Sequence, residues 1–145
     1  MFDVKPVTSK KSSDCGAACM VSFLGYYGEE VTLDQMVREC CTKVQGSTGK
    51  DLITCGRAHG LDMKAWRTDT GDIVRNFDRP AIIWWKYNHW CIYCGLNDFG
   101  QVVICNPSRG RYAVSVSLFN AFYSGVCLTN ETPPDGEGIP DEEED

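Results

Sequence analysis

Asp14-Cys15-Gly16-Ala17-Ala18-Cys19, continuing through an apolar run to Tyr26-Tyr27-Gly28, is the stretch on which the reading of this chain turns. Ala17, Ala18, Val21, Phe23, Leu24 and Tyr27 keep helical spacing, and Gly28 supplies a stop. Asp14 or Ser13 is placed to cap this helix by accepting its free first-turn amides. A cysteine in the first turn feels the positive end of the helix dipole, which favours the thiolate. Gly16 leaves no side chain beside the sulfur, so a substrate backbone has room to approach. The first-turn amides point to where an oxyanion would develop. Taken alone, the segment fits a buried structural thiol equally well, because free cysteine is among the most buried residue types.

Upstream lies a polar lead-in, Thr8-Ser9-Lys10-Lys11-Ser12-Ser13. Downstream, Thr32 to Cys40 reads as a second helix with a Thr32-x-x-Gln35 capping box and Leu33, Met36, Val37 and Cys40 on one face. A loop around Gln45-Gly46-Ser47 precedes a third helix, roughly Gly49 to His59, closed by Gly60. The periodicity then changes. Leu61 to Arg67 alternates like a strand, and a short helix fits Asp72 to Phe77. Pro80 opens the apolar run Ala81 to Trp85, and His89 to Leu96 and Gln101 to Cys105 form a hairpin about Asn97-Asp98-Phe99-Gly100. Tyr112 to Val116 and Gly125 to Leu128 add two strands, with a helical turn at Leu118 to Tyr123 between them. Helices first and an antiparallel sheet afterwards make an α+β plan.

The 145 residues suit one domain, here 1–130, followed by an acidic Pro/Gly-containing tail, 131–145. Of the 20 acidic residues, eight fall in the tail, leaving 12 against 14 basic residues, a body near +2. With no basic cluster, nucleic acid is not an expected partner. No apolar run approaches the ~18 residues of a membrane span, and Met1 to Thr8 has no apolar core of a signal peptide. Nine cysteines without such a signal point to a reducing, cytoplasmic setting and free thiols. By composition the tail is a solvated appendage.

Two further pieces complete a constellation. His89, in Tyr87-Asn88-His89-Trp90-Cys91, opens a strand after a polar turn, a rim position that suits the base a thiol nucleophile needs. Asn106, in Ile104-Cys105-Asn106-Pro107, ends the next strand and is placed to accept the imidazole N–H and fix its tautomer. Locally, Asn-Pro is also a plain turn initiator. The other histidine, His59, sits beside Gly60 at a helix end, where a charge on the helix terminus or a core histidine is the simpler reading. Cys91-x-x-Cys94 resembles half a zinc site, but residues three apart on a strand face opposite ways. No metal or cofactor is expected, and Cys40, Cys41, Cys55, Cys105 and Cys127 read as core or incidental thiols. Trp84, Trp85 and Trp90 are strand aromatics, and Trp90 is the candidate to line a substrate cleft.

As an ordered set these motifs resemble the bacteriocin-processing cysteine peptidases that cleave double-glycine leader peptides, a branch of the papain-like fold. The likeness runs over roughly 5–130 and includes Pro80-Ala81-Ile82-Ile83, Asn88-His89-Trp90, Asn106-Pro107 and Tyr123-Ser124-Gly125-Val126. It implies a bacterial or phage-encoded cysteine endopeptidase acting on a peptide or protein substrate. Cys15 would be its nucleophile, His89 its base and Asn106 the orienting group; Ser9, Gly16 and Trp90 would line the oxyanion and substrate side. Two departures stand out. Ser9 occupies the place of the family's helper glutamine, an oxyanion donor, with Lys10 and Lys11 as neighbouring substitutes; Asn106 stands where the family has aspartate. Losing such a donor typically costs ~10²–10³ in rate. Two alternatives follow: a peptidase-like binding module without turnover, or a subunit of a larger, for example viral, assembly docked to a protein partner through the acidic tail.

Overall fold

The computed structural model describes residues 1–9, 11–86, 88–130, 133 and 136–140. Lys10, Tyr87 and most of the acidic tail lie outside them, and so do the expectations placed on those residues. The helices are α1 Cys15–Tyr26, α2 Leu33–Glu39, α3 Gly49–Ala58, α4 Thr70–Asn76 and α5 Val116–Phe122. The strands are β1 Lys64–Arg67, β2 Ala81–Trp85, β3 His89–Leu96, β4 Val102–Asn106, β5 Gly110–Val114, β6 Tyr123–Thr129 and β7 Glu137–Gly138. They form one antiparallel sheet in the order β5-β4-β3-β2-β6-β1-β7. The α+β plan read from the sequence is the plan observed.

The alternation of strand side chains divides the core in two. Trp90, Ile92 and Cys94 of β3 face α1, α2 and α3, where Phe23, Leu24, Met36 and Leu52 are fully buried. Cys91 and Tyr93 face the other way, against Ile73 and Phe77 at α4 and Phe119 of α5. Cys91 and Cys94 thus lie on opposite faces and do not make half a zinc site. Helix α1 is buried on most of its surface, from Cys15 to Leu24, because the sheet covers one side and α2 and α3 the other.

Local details depart from the sequence reading where partners compete. Neither Asp14 nor Ser13 caps α1. A 3-10 turn, Ser12–Asp14, runs directly into the helix and holds Asp14 at φ −92°, ψ 4°, away from the extended geometry of a capping residue. Thr32 does accept from the Gln35 amide (3.1 Å), but the Gln35 side chain turns to Glu39 (2.7 Å) and leaves the box half made. The complete capping box belongs to α3, where Thr48 and Asp51 bond reciprocally at 3.1 and 3.0 Å. The strand expected from Leu61 starts only at Lys64, and the strand expected at Gly125 begins already at Tyr123. Part of the tail is ordered: β7 pairs with β1 through Trp66↔Gly138 and Arg67↔Glu137, and Ile139 donates to the Ala65 carbonyl.

The C-terminal ends of α1, α2 and α3 come together at His59. Its Nδ1 lies 2.7 Å from Glu29 Oε1 and its Nε2 2.6 Å from Glu39 Oε1. The imidazole therefore joins the loop after α1 to the end of α2. The Glu29 carboxylate first, and Glu39 after it, raise the His59 pKa from its ordinary 6.5 to about 9. A pKa raised on folding contributes stability that is complete below the unfolded value and is lost as pH rises through the folded one. His59→Gln should therefore lower the thermal midpoint at pH 6, and the difference from the parent should vanish by pH 10 in parallel melts.

Candidate active site

The first turn of α1 and the start of β3 meet in a contact that leaves no spare room. A Cβ placed on Gly16 would stand 3.2 Å from Leu52 Cδ2 and 3.2 Å from Trp90 Cδ1. Glycine at this position lets the helix terminus settle onto the strand, and the Trp90 backbone N–H reaches the Cys15 sulfur. The Gly16 and Cys15 amides, which no side chain caps, also point to that sulfur. Cys15 is 5% exposed. Burial raises the thiol above its ordinary pKa; the three amides pull it back only in part, and Asp14 adds to the rise. Desolvation outweighs the helix dipole here, the opposite of what the dipole alone predicts for this sulfur.

His89 is delivered by a short connection. β2 ends at Trp85, whose partner in the ladder is His89, so three residues span the turn. Asn88 takes a left-handed φ of 59°, the conformation that closes three-residue hairpin loops and that asparagine tolerates well. On the neighbouring strand Ile92 pairs with Cys105. Continuing this register by one residue sets Asn106 opposite Cys91, diagonal to His89 and on the same face. The side chains meet: His89 Nε2 is 2.6 Å from Asn106 Oδ1. That oxygen also accepts from the Ser108 amide (3.0 Å) and Ser108 Oγ (2.8 Å), and Asn106 Nδ2 donates to Tyr112 Oη (3.2 Å). The Ser108 N–H needs an acceptor, which settles the amide orientation. In the neutral ring, His89 Nε2 then carries the proton and Nδ1 the lone pair. Asn106 is therefore both the turn initiator of its local reading and the partner of His89. Ser108 and Tyr112 were not anticipated from the sequence; the signal for Ser108 was its position two residues after an asparagine, the spacing of an Asx turn.

The remaining predicted residues gather nearby. Ser9 is tied by its backbone N–H to the Pro107 carbonyl (2.9 Å), beside Asn106. The lead-in reaches this point because Arg111 clamps it at its start, donating to the Val4 carbonyl (2.6 Å) and the Phe2 carbonyl (2.8 Å). Lys11 is exposed. The Trp90 indole packs edge-on against Trp84 with centroids 4.5 Å apart, and its Nε1 donates to the Ser47 carbonyl (3.1 Å). Both rings line an open cleft of about 430 Å³ bounded also by Ser47, Gly49, Arg67 and Asn88. Trp90 is thus core on one edge and cleft wall on the other. A larger hollow of about 630 Å³ lies elsewhere, between the N-terminal arm and the α1–α2 connection, and none of the predicted site residues lines it.

Comparison with known proteins was made with this geometry in hand. The family model described as the peptidase C39 family matches residues 3–135. Among curated proteins, the colicin V secretion/processing ATP-binding protein CvaB of Escherichia coli is 22% identical over 125 residues, 86% of this chain and 18% of that protein. The lactococcin-G-processing and transport ATP-binding protein LagD of Lactococcus lactis is 23% identical over 129 residues, again 86% and 18%. The chain therefore spans under a fifth of the length of these relatives. Among solved structures, a double glycine motif protease from an AMS/PCAT transporter, in complex with the leader peptide, superposes with a TM-score of 0.84. It is 26% identical, over 88% of this chain and 91% of that one. The peptidase domain of Streptococcus ComA, a bi-functional ABC transporter, superposes at 0.78 with 20% identity, over 86% and 96%, and shares the papain-like fold. No helix among the described residues is long and apolar enough to cross a membrane.

The buried thiol carries a prediction for the substrate-free protein. Carboxamidomethylation of Cys15 should be slow at pH 7 and still rising above pH 9, whereas the exposed Cys41 should label first. Peptide mass spectrometry across a pH series measures both rates, and a Cys15 rate already level at neutral pH would contradict the thiol assignment.

Proposed function

The chain belongs to the peptidase C39 family, and from that premise we propose that it is a cysteine endopeptidase acting after a pair of small residues of the Gly-Gly type. The observation that carries the reading is the 2.6 Å His89–Asn106 hydrogen bond beside a strand amide that reaches the Cys15 sulfur. In this mechanism the Cys15 thiol stays protonated until substrate binds. His89 Nδ1 accepts the thiol proton as the sulfur attacks the scissile carbonyl carbon, giving a tetrahedral adduct and an imidazolium. The Cys15 amide, aided by Ser9, holds the oxyanion. Collapse of the adduct breaks the C–N bond, and the imidazolium protonates the departing amine. Water, deprotonated by His89, then hydrolyses the thioester and restores the thiol. Asn106 keeps the ring in the required tautomer throughout.

The substrate class comes from the relative solved with a leader peptide. A peptide threading past Gly16 would meet Trp90 and Trp84 as walls of the cleft. The competing reading, a module that binds such a peptide without cutting it, draws on Ser9, which is shorter than the glutamine it replaces. The acidic segment 131–145 lies mostly outside the described residues, though its Ile139 lines the same cleft; its docking to a protein partner is a separate proposal.

A fluorogenic peptide ending its leader in Gly-Gly tests the reading. Cleavage after the second glycine is expected, abolished by Cys15→Ala and reduced at least ~10³-fold by His89→Ala. Ser9→Gln should raise kcat by ~10-fold or more if the missing donor is the limiting loss. Tight binding of the peptide with no cleavage by the parent or by Ser9→Gln would favour the binding module.

A further inference from the structure

The reaction proposed for Cys15 and His89 makes no use of the cluster at the far end of the helical layer. α1 has 12 residues, about 18 Å at 1.5 Å per residue, so Glu29, past its end, lies well away from Cys15 at its start. Cys55 and His59 are spaced i, i+4 at the end of α3 and share one face of it. Cys55 is buried, and the His59 side chain is 12% exposed. Glu39, at the end of α2, is the exposed member and opens the cluster to solvent.

The donor atoms of Glu39, Cys55 and His59 all lie within 4.8 Å of one another. We propose that these three residues form a binding site for a divalent transition metal of the zinc class. Tetrahedral zinc with bonds of ~2.0–2.3 Å sets its donors ~3.3–3.8 Å apart, so side-chain adjustments of about an ångström close the site. One nitrogen, one sulfur and one carboxylate oxygen is a borderline-soft set that suits zinc better than calcium or magnesium.

The environment of the imidazole supplies a second, independent pointer. A metal-binding histidine characteristically donates its other ring N–H to a carboxylate, which fixes the tautomer and turns the ligand nitrogen outward. Here Nδ1 is 2.7 Å from Glu29 Oε1, while Nε2 is directed at Glu39, one of the other two ligands. The Cys55 thiol donates to Met36 Sδ at 3.7 Å, and water would fill the fourth position on the metal. Metal entry displaces the proton between Nε2 and Glu39 and the proton of the Cys55 thiol. Both go to solvent, with no change of oxidation state. Bound there, the ion would join α2 to α3 at the end of the layer that carries α1.

The test uses the full chain, stripped with chelator under a thiol-free reductant and titrated with Zn²⁺ against a chromophoric competitor, with Co²⁺ as spectroscopic probe. One equivalent should bind at submicromolar free metal and raise the thermal midpoint, and Co²⁺ should give a thiolate-to-metal charge-transfer band. Cys55→Ala should abolish the band, and His59→Gln and Glu39→Gln should each weaken binding at least ~10-fold; Glu29→Gln should cost ~10–100-fold through its hold on the ring. Cys15→Ala and His89→Ala should leave binding unchanged. Failure to bind one equivalent at micromolar Zn²⁺ overturns the proposal, as does binding that survives Cys55→Ala or is lost with Cys15 or His89. If His59→Gln does not fold, Cys55→Ala, which removes only the sulfur, decides the matter.

Discussion

The approach of the α1 terminus to β3 across Gly16 is the constraint on which the rest of the site depends. With Leu52 and Trp90 each 3.2 Å from where a Cβ would stand, the helix settles as close as a backbone allows. That closeness lets the Trp90 amide reach the Cys15 sulfur, and it locates the Trp90 ring between Trp84 and the Ser47 carbonyl. Four segments, the starts of α1 and β3, the end of β2 and the loop before α3, are therefore fixed by one missing methyl group. Filling such a space typically costs ~1–3 kcal/mol in stability. A Cβ there would require Leu52 or Trp90 to give by a few tenths of an ångström. Stability and geometry here rest on the same contact.

Electrostatics at this contact are decided by competition. A helix dipole favours an anion at its N-terminus by ~0.3–1 kcal/mol at an exposed site and up to ~2 in partly buried geometries. Burial of Cys15 works against it and wins. The consequence is a division of labour in the proposed mechanism: the sulfur is held, and the histidine must take the proton. Asn106 suits that arrangement, since an amide oxygen orients the ring without adding a negative charge beside it. His59 shows the contrast within the same chain. Two carboxylates embrace its ring and make it a cation over most of the accessible pH range.

The order of elements was legible in the sequence because each rests on a local periodicity. The two-residue alternation of β3 and β4 and their Asn97–Gly100 turn were enough to bring His89 and Asn106 to one end of a hairpin. What was not legible depends on contacts between segments distant along the chain. Thr32-x-x-Gln35 and Thr48-x-x-Asp51 look alike as capping signals, yet Gln35 finds Glu39 within reach and abandons the box. Asp14 lost its capping role to a 3-10 turn that only the packing of the lead-in reveals. The embrace of His59 needed residues 20 and 30 positions away, which no local pattern around His59 could announce. The ordering of β7 likewise came from outside the tail, through the free edge that β1 offers it.

On the proposed reading, the backbone at position 9 holds its place even though the side chain differs from the glutamine the resemblance implies. The Ser9 amide is bonded to the Pro107 carbonyl, one residue past Asn106, so the chain passes the proposed oxyanion side whatever side chain it carries there. The clamp that brings it there, Arg111 on the Phe2 and Val4 carbonyls, is equally indifferent to the residue at 9. On the proposed reading, the replacement of glutamine by serine is therefore a deficit of reach and not a collapse of the site. The hydroxyl ends about two bonds short of a glutamine amide, a gap that one bridging water spans at little cost in free energy. Such a water must be ordered anew in each turnover, whereas a covalently attached amide is already in place. The difference falls on the transition state, where preorganised donors matter most, and leaves ground-state peptide binding nearly untouched. A serine here would consequently slow the enzyme without loosening its hold on the substrate.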